Sequence, residues 1–165
     1  MSEPVTLWRI GIDTPHYTAD DSTGTGAKIT GGRWNRKGNA VLYTSSTIAL
    51  ACLETVVHMN PGALPLNRYL VRIDVPEDAW KARIGLTPAD LPVGWDALPE
   101  GKASLDAGDA WISGAASPVL LVPSVIVPEE PNVLVDPAHV LAAGIKATKV
   151  RKWLYDPRLL GHKPL

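Results

Sequence analysis

Val119-Leu-Leu-Val-Pro123-Ser124-Val-Ile-Val127-Pro128-Glu-Glu-Pro131-Asn132-Val-Leu-Val135 is the stretch whose reading decides the fold. It holds three short β-branched runs, Val119 to Val122, Val125 to Val127 and Val133 to Val135, split by prolines. Such residues suit a pleated, half-buried surface, and proline is tolerated at strand ends and edges. The runs are read as strands of one sheet. Working outward, Val5 to Ile10 reads as a first strand and Ala40 to Thr44 as a second. Arg68 to Val75 alternates in the strand manner until Pro76. Ala147 to Leu154 is a last strand or extended segment. Helices are expected from Ser46 to Met59, from Ser104 to Gly114 with Trp111 inside, and over Ala138 to Ala143. Ser45 or Ser46 would cap the first of these, and Asn60-Pro61 would stop it. His16 to Gly32 reads as a polar, glycine-dotted loop. Glu77 to Gly101 mixes turn signals with a weak helical pattern. Strands outnumber helices and adjoin one another near the C-terminus. That order predicts an α+β single domain, a mixed sheet with short helices, over a doubly wound parallel sheet.

The chain has 165 residues, a size suited to one compact domain. Cys52 is the only cysteine, which excludes an internal disulfide and a zinc site built on several thiolates. The net charge of −1 argues against direct nucleic-acid binding, which favours a basic excess. The start of the chain does not read as a secretory signal. The longest apolar run, Ile48 to Val57, is broken by Glu54 and is too short to span a bilayer. A cytoplasmic protein with no membrane association is the expectation.

The Ser46–Met59 segment carries the first chemical signal. Ile48, Ala49, Cys52, Leu53, Val56 and Val57 would cover most of a helix, so the helix is expected to be buried. Glu54 stands among them, and a buried carboxylate is costly unless paired. It is either on a narrow solvated stripe with His58, or facing a cleft where it meets a cation. Arg33 is the candidate cation. In Gly31-Gly32-Arg33-Trp34-Asn35, two glycines allow close backbone approach, and arginine can bind a carboxylate or phosphate through two parallel bonds. Tyr43 ends a strand just before the helix, a position that lines pockets, although a core tyrosine with a satisfied hydroxyl is an equal reading. Glu54 and His58 share the i, i+4 spacing of metal pairs, but a third ligand is missing and no metal is expected.

Together with Trp8-Arg9-Ile10, Tyr43-Thr44-Ser45, Leu53-Glu54-Thr55, Pro123 to Pro128 and Asn132-Val133-Leu134, the Gly31–Asn35 motif resembles the RES domain. The likeness runs from Leu7 to His139, so a single RES domain over 1–165 is expected, with a core of about 7–139 and a C-terminal segment of 140–165. The resemblance implies a fold similar to ADP-ribosyltransferase toxins and NAD as the substrate. It also implies a toxin–antitoxin pair whose partner is an Xre-type helix-turn-helix antitoxin. Members of the family are similar either to enzymes that degrade NAD by hydrolysis or phosphorolysis, or to transferases that place ADP-ribose on a protein.

The residues suit that chemistry. Nicotinamide on ribose is cationic and leaves neutral, so no general acid is required. Positive charge grows on the ribose, and an anion held near it favours the transition state. Glu54 fits that role. Arg33 would hold the pyrophosphate or steady Glu54, and Tyr43 would stack on the nicotinamide. Ser124 would hold the nicotinamide side or the glutamate. Arg9 is a second phosphate contact, and Ser45 is placed with the substrate-binding residues. Two other readings compete. One is a non-catalytic module in which Arg33 and Glu54 form a structural ion pair. The other is an RNA-directed toxin. An enzyme that destroys NAD inside its own cell also needs a restraint, and an antitoxin reaching across the pocket would supply it.

Overall fold

The computed structural model describes residues 3–60 and 65–161. Among these described residues, seven strands form one mixed sheet. They are β1 (Val5–Ile12), β2 (Leu42–Ser45), β3 (Arg68–Val75), β4 (Ile84–Gly85), β5 (Val119–Pro123), β6 (Pro131–Val135) and β7 (Lys146–Lys152). Their spatial order is β4-β5-β6-β2-β1-β3-β7. Only β4 and β5 run parallel; every other pairing is antiparallel. Among the same residues, four short helices accompany the sheet: α1 (Thr25–Thr30), α2 (Ile48–Val56), α3 (Glu77–Lys81) and α4 (Lys102–Gly114). No helix among the described residues is long and apolar enough to cross a membrane.

Period-two alternation sorts the strand residues onto two faces. Leu7, Leu42, Val71, Ile73, Val75, Val119, Val133 and Val135 build one continuous core on one face. The other face carries two separate cores. Trp34, Val41, Trp95, Trp111, Leu120, Val122 and Leu134 cluster on the α4 side. Ile10, Ala51, Leu70 and Tyr155 cluster beneath α2. The gap between these two cores lies where β1 meets β2, and the pairing there is minimal. β1 pairs with β3 along its whole length but with β2 only at Trp8 and Ser45.

Several expectations are corrected. Val125 to Val127 is not a strand. Its flanking prolines turn the chain, and the amides of Ile126 and Val127 both donate to the Ser124 hydroxyl, closing a bend between β5 and β6. The supposed loop of residues 16–32 contains α1. Asp21 accepts from the amides of Thr23 and Thr25 and so starts the helix that the glycines seemed to forbid. Thr47, not Ser45 or Ser46, caps α2 by accepting from the Leu50 amide. The helix ends at Val56, before Met59, and Pro61 lies outside the described residues. The segment near Ala138 is a 3-10 turn over Val140–Gly144, capped by the His139 ring. β4 was hidden in the turn-rich stretch.

The residues after His139 are part of the structure's framework. β7 closes the β3 edge of the sheet, and the Tyr155 hydroxyl meets Thr55 Oγ1 of α2 at 2.7 Å. On the other side, α4 approaches the Arg33 segment so closely that a Cβ at Gly108 would lie 1.7 Å from the Trp34 carbonyl oxygen. Backbone cannot yield as a side-chain tip does. Gly108→Ala should therefore destabilise the fold by about 1–3 kcal/mol or more. Urea denaturation measures it, and an unchanged midpoint would mean that α4 is free to slide.

Candidate active site

The gap between the two cores is a cleft of about 680 Å³, within the usual range for small-molecule sites. Trp8, Arg9 and Ile10 of β1 form one wall and Tyr43, Thr44 and Ser45 of β2 the other. Glu54 of α2, Asn132 of β6 and the Gly31–Trp34 segment complete the interior.

Glu54 is held by one oxygen. Its Oε1 accepts from the Ser124 hydroxyl at 2.6 Å and from Asn132 Nδ2 at 2.7 Å. Asn132 is itself fixed, because its Oδ1 accepts from the hydroxyl of Ser45, its cross-strand neighbour, at 2.7 Å. Ser124 is fixed by the two amides it accepts. Hydrogen bonds to a charged group contribute about 1.5–3 kcal/mol each, enough to offset partial burial of one carboxylate. Oε2 has no hydrogen-bond partner among the described residues, and Glu54 lines the cleft.

Arg33 is placed by a loop locked at both neighbours. Asn35 is wholly buried, and its Nδ2 donates to the carbonyls of Ala27, Arg36 and Asn39. The Tyr43 hydroxyl donates to Asn35 Oδ1 at 2.6 Å and accepts from the Trp34 amide at 3.0 Å. Gly32 passes so near Tyr43 that a Cβ there would come within 2.7 Å of the hydroxyl. Gly31 adopts a φ of 71°, which favours glycine. With Trp34 and Asn35 drawn inward, Arg33 is left along the cleft. Its Nη1 donates to the carbonyls of Trp95 and Ala97 at 3.1 and 2.9 Å, while its other nitrogens have no hydrogen-bond partner among the described residues. Arg9 enters from β1, with Nε shut away from solvent and without a partner among the described residues. Burial lowers its pKa from the ordinary arginine value, while the nearby Asp21 and Tyr17 act to raise it. An anion in the cleft would relieve that burial.

The structure thus gathers Arg9, Arg33, Tyr43, Ser45 and Glu54 around one cleft. Ser124 stands behind it, wholly buried, and reaches the cleft only through Glu54. Two expectations change. Glu54 and Arg33 form no ion pair, since the carboxylate is taken by neutral donors and Arg33 by carbonyls. α2 is not buried all round, because Leu53 and Val57 face outward. The Tyr43 hydroxyl is committed to the fold, as the reading of a core tyrosine with a satisfied hydroxyl expects, while Tyr43 also lines the cleft. Asn132 and Asn35 were not singled out as site residues. Each lay inside a quoted motif, but asparagine among turn residues reads as turn chemistry. Among the described residues no three His, Cys, Asp or Glu side chains gather as a metal site.

Comparison with known proteins places the chain in a family. The RES domain family matches residues 6–157, and the chain belongs to this family of toxins. A protein from Sphingobium sp. (strain YBL2) named Prs ADP-ribosylating toxin is 59% identical over 154 residues, covering 93% of this chain and 96% of its own. A Toxin Res from Yersinia enterocolitica is 35% identical, covering 87% of this chain and 93% of its own. A Toxin Res from Pseudomonas putida is 34% identical, covering 93% and 98%. The fold is also that of a chain in the M. tuberculosis MbcT–MbcA toxin–antitoxin complex. The TM-score is 0.67 at 18% identity, covering 95% of this chain and 87% of that one.

Tyr43 ties the site to stability. Burial, the largest influence, raises its hydroxyl pKa well above the ordinary tyrosine value. The hydroxyl's contribution is complete below about pH 10 and is lost only as pH rises through the raised value. At neutral pH, Tyr43→Phe leaves the Trp34 amide and Asn35 Oδ1 without that partner. A loss of about 1–3 kcal/mol is expected by urea denaturation at pH 7. No loss would show that the hydroxyl is not what holds the Arg33 loop.

Proposed function

We propose that this toxin cleaves the nicotinamide–ribose bond of NAD and transfers the ADP-ribose to a protein. The observation that carries the reading is Glu54: a carboxylate fixed through Oε1, with Oε2 unengaged, in a cleft that also holds two arginines. The name of the Sphingobium relative favours a protein as acceptor.

The step balances without an added reactant. The C1′–N bond breaks, and its electron pair leaves with neutral nicotinamide. The acceptor's lone pair closes a new bond to C1′, and the acceptor proton passes through Glu54 Oε2 to water. Glu54 stabilises the positive charge that grows on the ribose. Arg9 and the unengaged nitrogens of Arg33 hold the pyrophosphate. The Tyr43 ring packs on the nicotinamide. Ser124 positions the carboxylate from behind the cleft, and Asn132 and Ser45 position it from the cleft wall, where Ser45 also meets the substrate. A partner antitoxin of the Xre type, reaching an acidic group across the same cleft, restrains the enzyme. The MbcT–MbcA assembly of the structural neighbour supports a partner of that general kind.

Glu54→Gln retains an oxygen for both donors and removes only the charge. It should lower nicotinamide release by about 10²–10³ while the protein still folds. Labelled NAD reports both questions at once. Wild-type release from the variant would refute the mechanism, and label recovered free as ADP-ribose or its phosphate, with none on protein, would refute the acceptor.

Arg33→Lys should raise the KM for NAD more than it lowers turnover, because a point charge cannot hold two carbonyls and a phosphate together. Unchanged kinetics would place the pyrophosphate elsewhere.

A further inference from the structure

The cleft has more at its mouth than a dinucleotide needs. The segment of residues 91–101, leading into α4, is fastened at its stem. The Trp95 ring stacks on Trp34 with centroids 6.3 Å apart, and Arg33 Nη1 holds the carbonyls of Trp95 and Ala97. Past that stem, Leu98 and Glu100 line the cleft mouth. Leu98 is 78% exposed, and Val57 and Ile126, which also line the cleft, are 56% and 37% exposed. Glu100 is exposed and makes no ion pair or hydrogen bond among the described residues. The titratable and charged side chains lining the cleft are Arg9, Tyr17, Asp21, Arg33, Tyr43, Glu54, His58 and Glu100.

An unpaired carboxylate at the entrance of a cleft built for an anion opposes entry of that anion. Glu100 is therefore a liability toward NAD and suits a cationic group. The three apolar residues have no polar substrate atom to serve, and apolar side chains exposed around a polar centre mark a protein contact. In the proposed transfer the bond to C1′ is closed by an acceptor group that has to reach the cleft, and Leu98, Glu100, Val57 and Ile126 are exposed residues that line it.

We infer that the tip of the 91–101 segment is the acceptor-recognition element of the enzyme: Leu98, with Val57 and Ile126, seats an apolar patch of the acceptor protein, and Glu100 pairs with a lysine or arginine beside or at the modified position. This rests on the transferase reading above. It adds the chemical class of the acceptor surface, a basic side chain flanked by apolar ones. Because Arg33 fastens the stem, the same arginine that meets NAD sets where the acceptor docks.

The test uses the whole chain, labelled NAD and purified Prs, the protein named for the Sphingobium relative. Leu98→Ser, Glu100→Gln and Glu100→Lys are compared with wild type by KM for each substrate. Loss of one charge-assisted contact corresponds to about tenfold in affinity. The expected result is a KM for Prs raised about tenfold in Glu100→Gln and further in Glu100→Lys, with the KM for NAD moving less than twofold. Leu98→Ser should raise the Prs KM without changing its salt dependence, whereas the glutamate variants should flatten it. Wild-type KM values for Prs in all three variants would overturn the inference alone. A parallel rise in the NAD KM would assign the segment to NAD and overturn it too. Weakened inhibition by the antitoxin with no change toward Prs would make this the antitoxin's surface instead. Absence of label on Prs, with all of it free as ADP-ribose or its phosphate, would remove the acceptor reading and this inference together.

Discussion

Everything at the site depends on how little β1 and β2 share. Antiparallel neighbours normally pair along their length, as β1 does with β3. Between β1 and β2 the ladder is reduced to Trp8 and Ser45. The sheet is continuous there, yet it opens, and each half carries its own core on that face. α4 packs on one core and α2 on the other, and α2 borders the seam with Ala51, Glu54 and Thr55 lining the cleft. A cleft at a seam of this kind needs no cavity in a packed interior, so it costs no buried contacts.

The seam also explains why the polar residues fall where they do. Beside the seam, β2 is held on its other edge by full pairing with β6, and side chains at the end of that ladder extend the connection. Ser45 and Asn132 join across β2 and β6, and Asn132 passes the connection to α2 through Glu54. Ser124, on the bend after β5, adds a second hold. The carboxylate is thus tied to three separate pieces of chain. Arg33 is tied to the α4 side through Trp34, Asn35 and Tyr43. The two charged groups are positioned by different cores and have no need of each other's charge.

The sheet was largely legible in the sequence because its signals are local. Alternation over Arg68–Val75 and the β-branched runs at Val119 and Val133 announce themselves without tertiary context. Val125–Val127 has the same composition and is a bend, since the Ser124 hydroxyl accepts amides that a strand would have donated to a ladder. β4, two residues long, exists only because β5 lies beside it. At the site, the charged and aromatic residues stood out through their settings: Glu54 in an apolar helix, Arg33 beside two glycines. Their partners were not legible. An arginine and a carboxylate in one cleft invite pairing on paper, and only three dimensions show that amide, hydroxyl and carbonyl groups had already claimed them. Asn132 and Asn35, which do much of that claiming, look like ordinary turn residues in a string of letters.

The hydrogen bonds around Glu54 also run in one direction. The Ser124 hydroxyl receives two amides and so has its own hydrogen to give, and the carboxylate is where it gives it. Asn132 receives at its oxygen from Ser45 and must present its NH2 group to the same acceptor. Neither can turn round without stranding a donor. Oε1 is therefore a permanent receiver, which leaves Oε2 as the oxygen able to take a hydrogen in the proposed mechanism. Under the proposed chemistry the wiring behind the carboxylate works as a one-way valve, with protons exchanged only through the oxygen left unengaged.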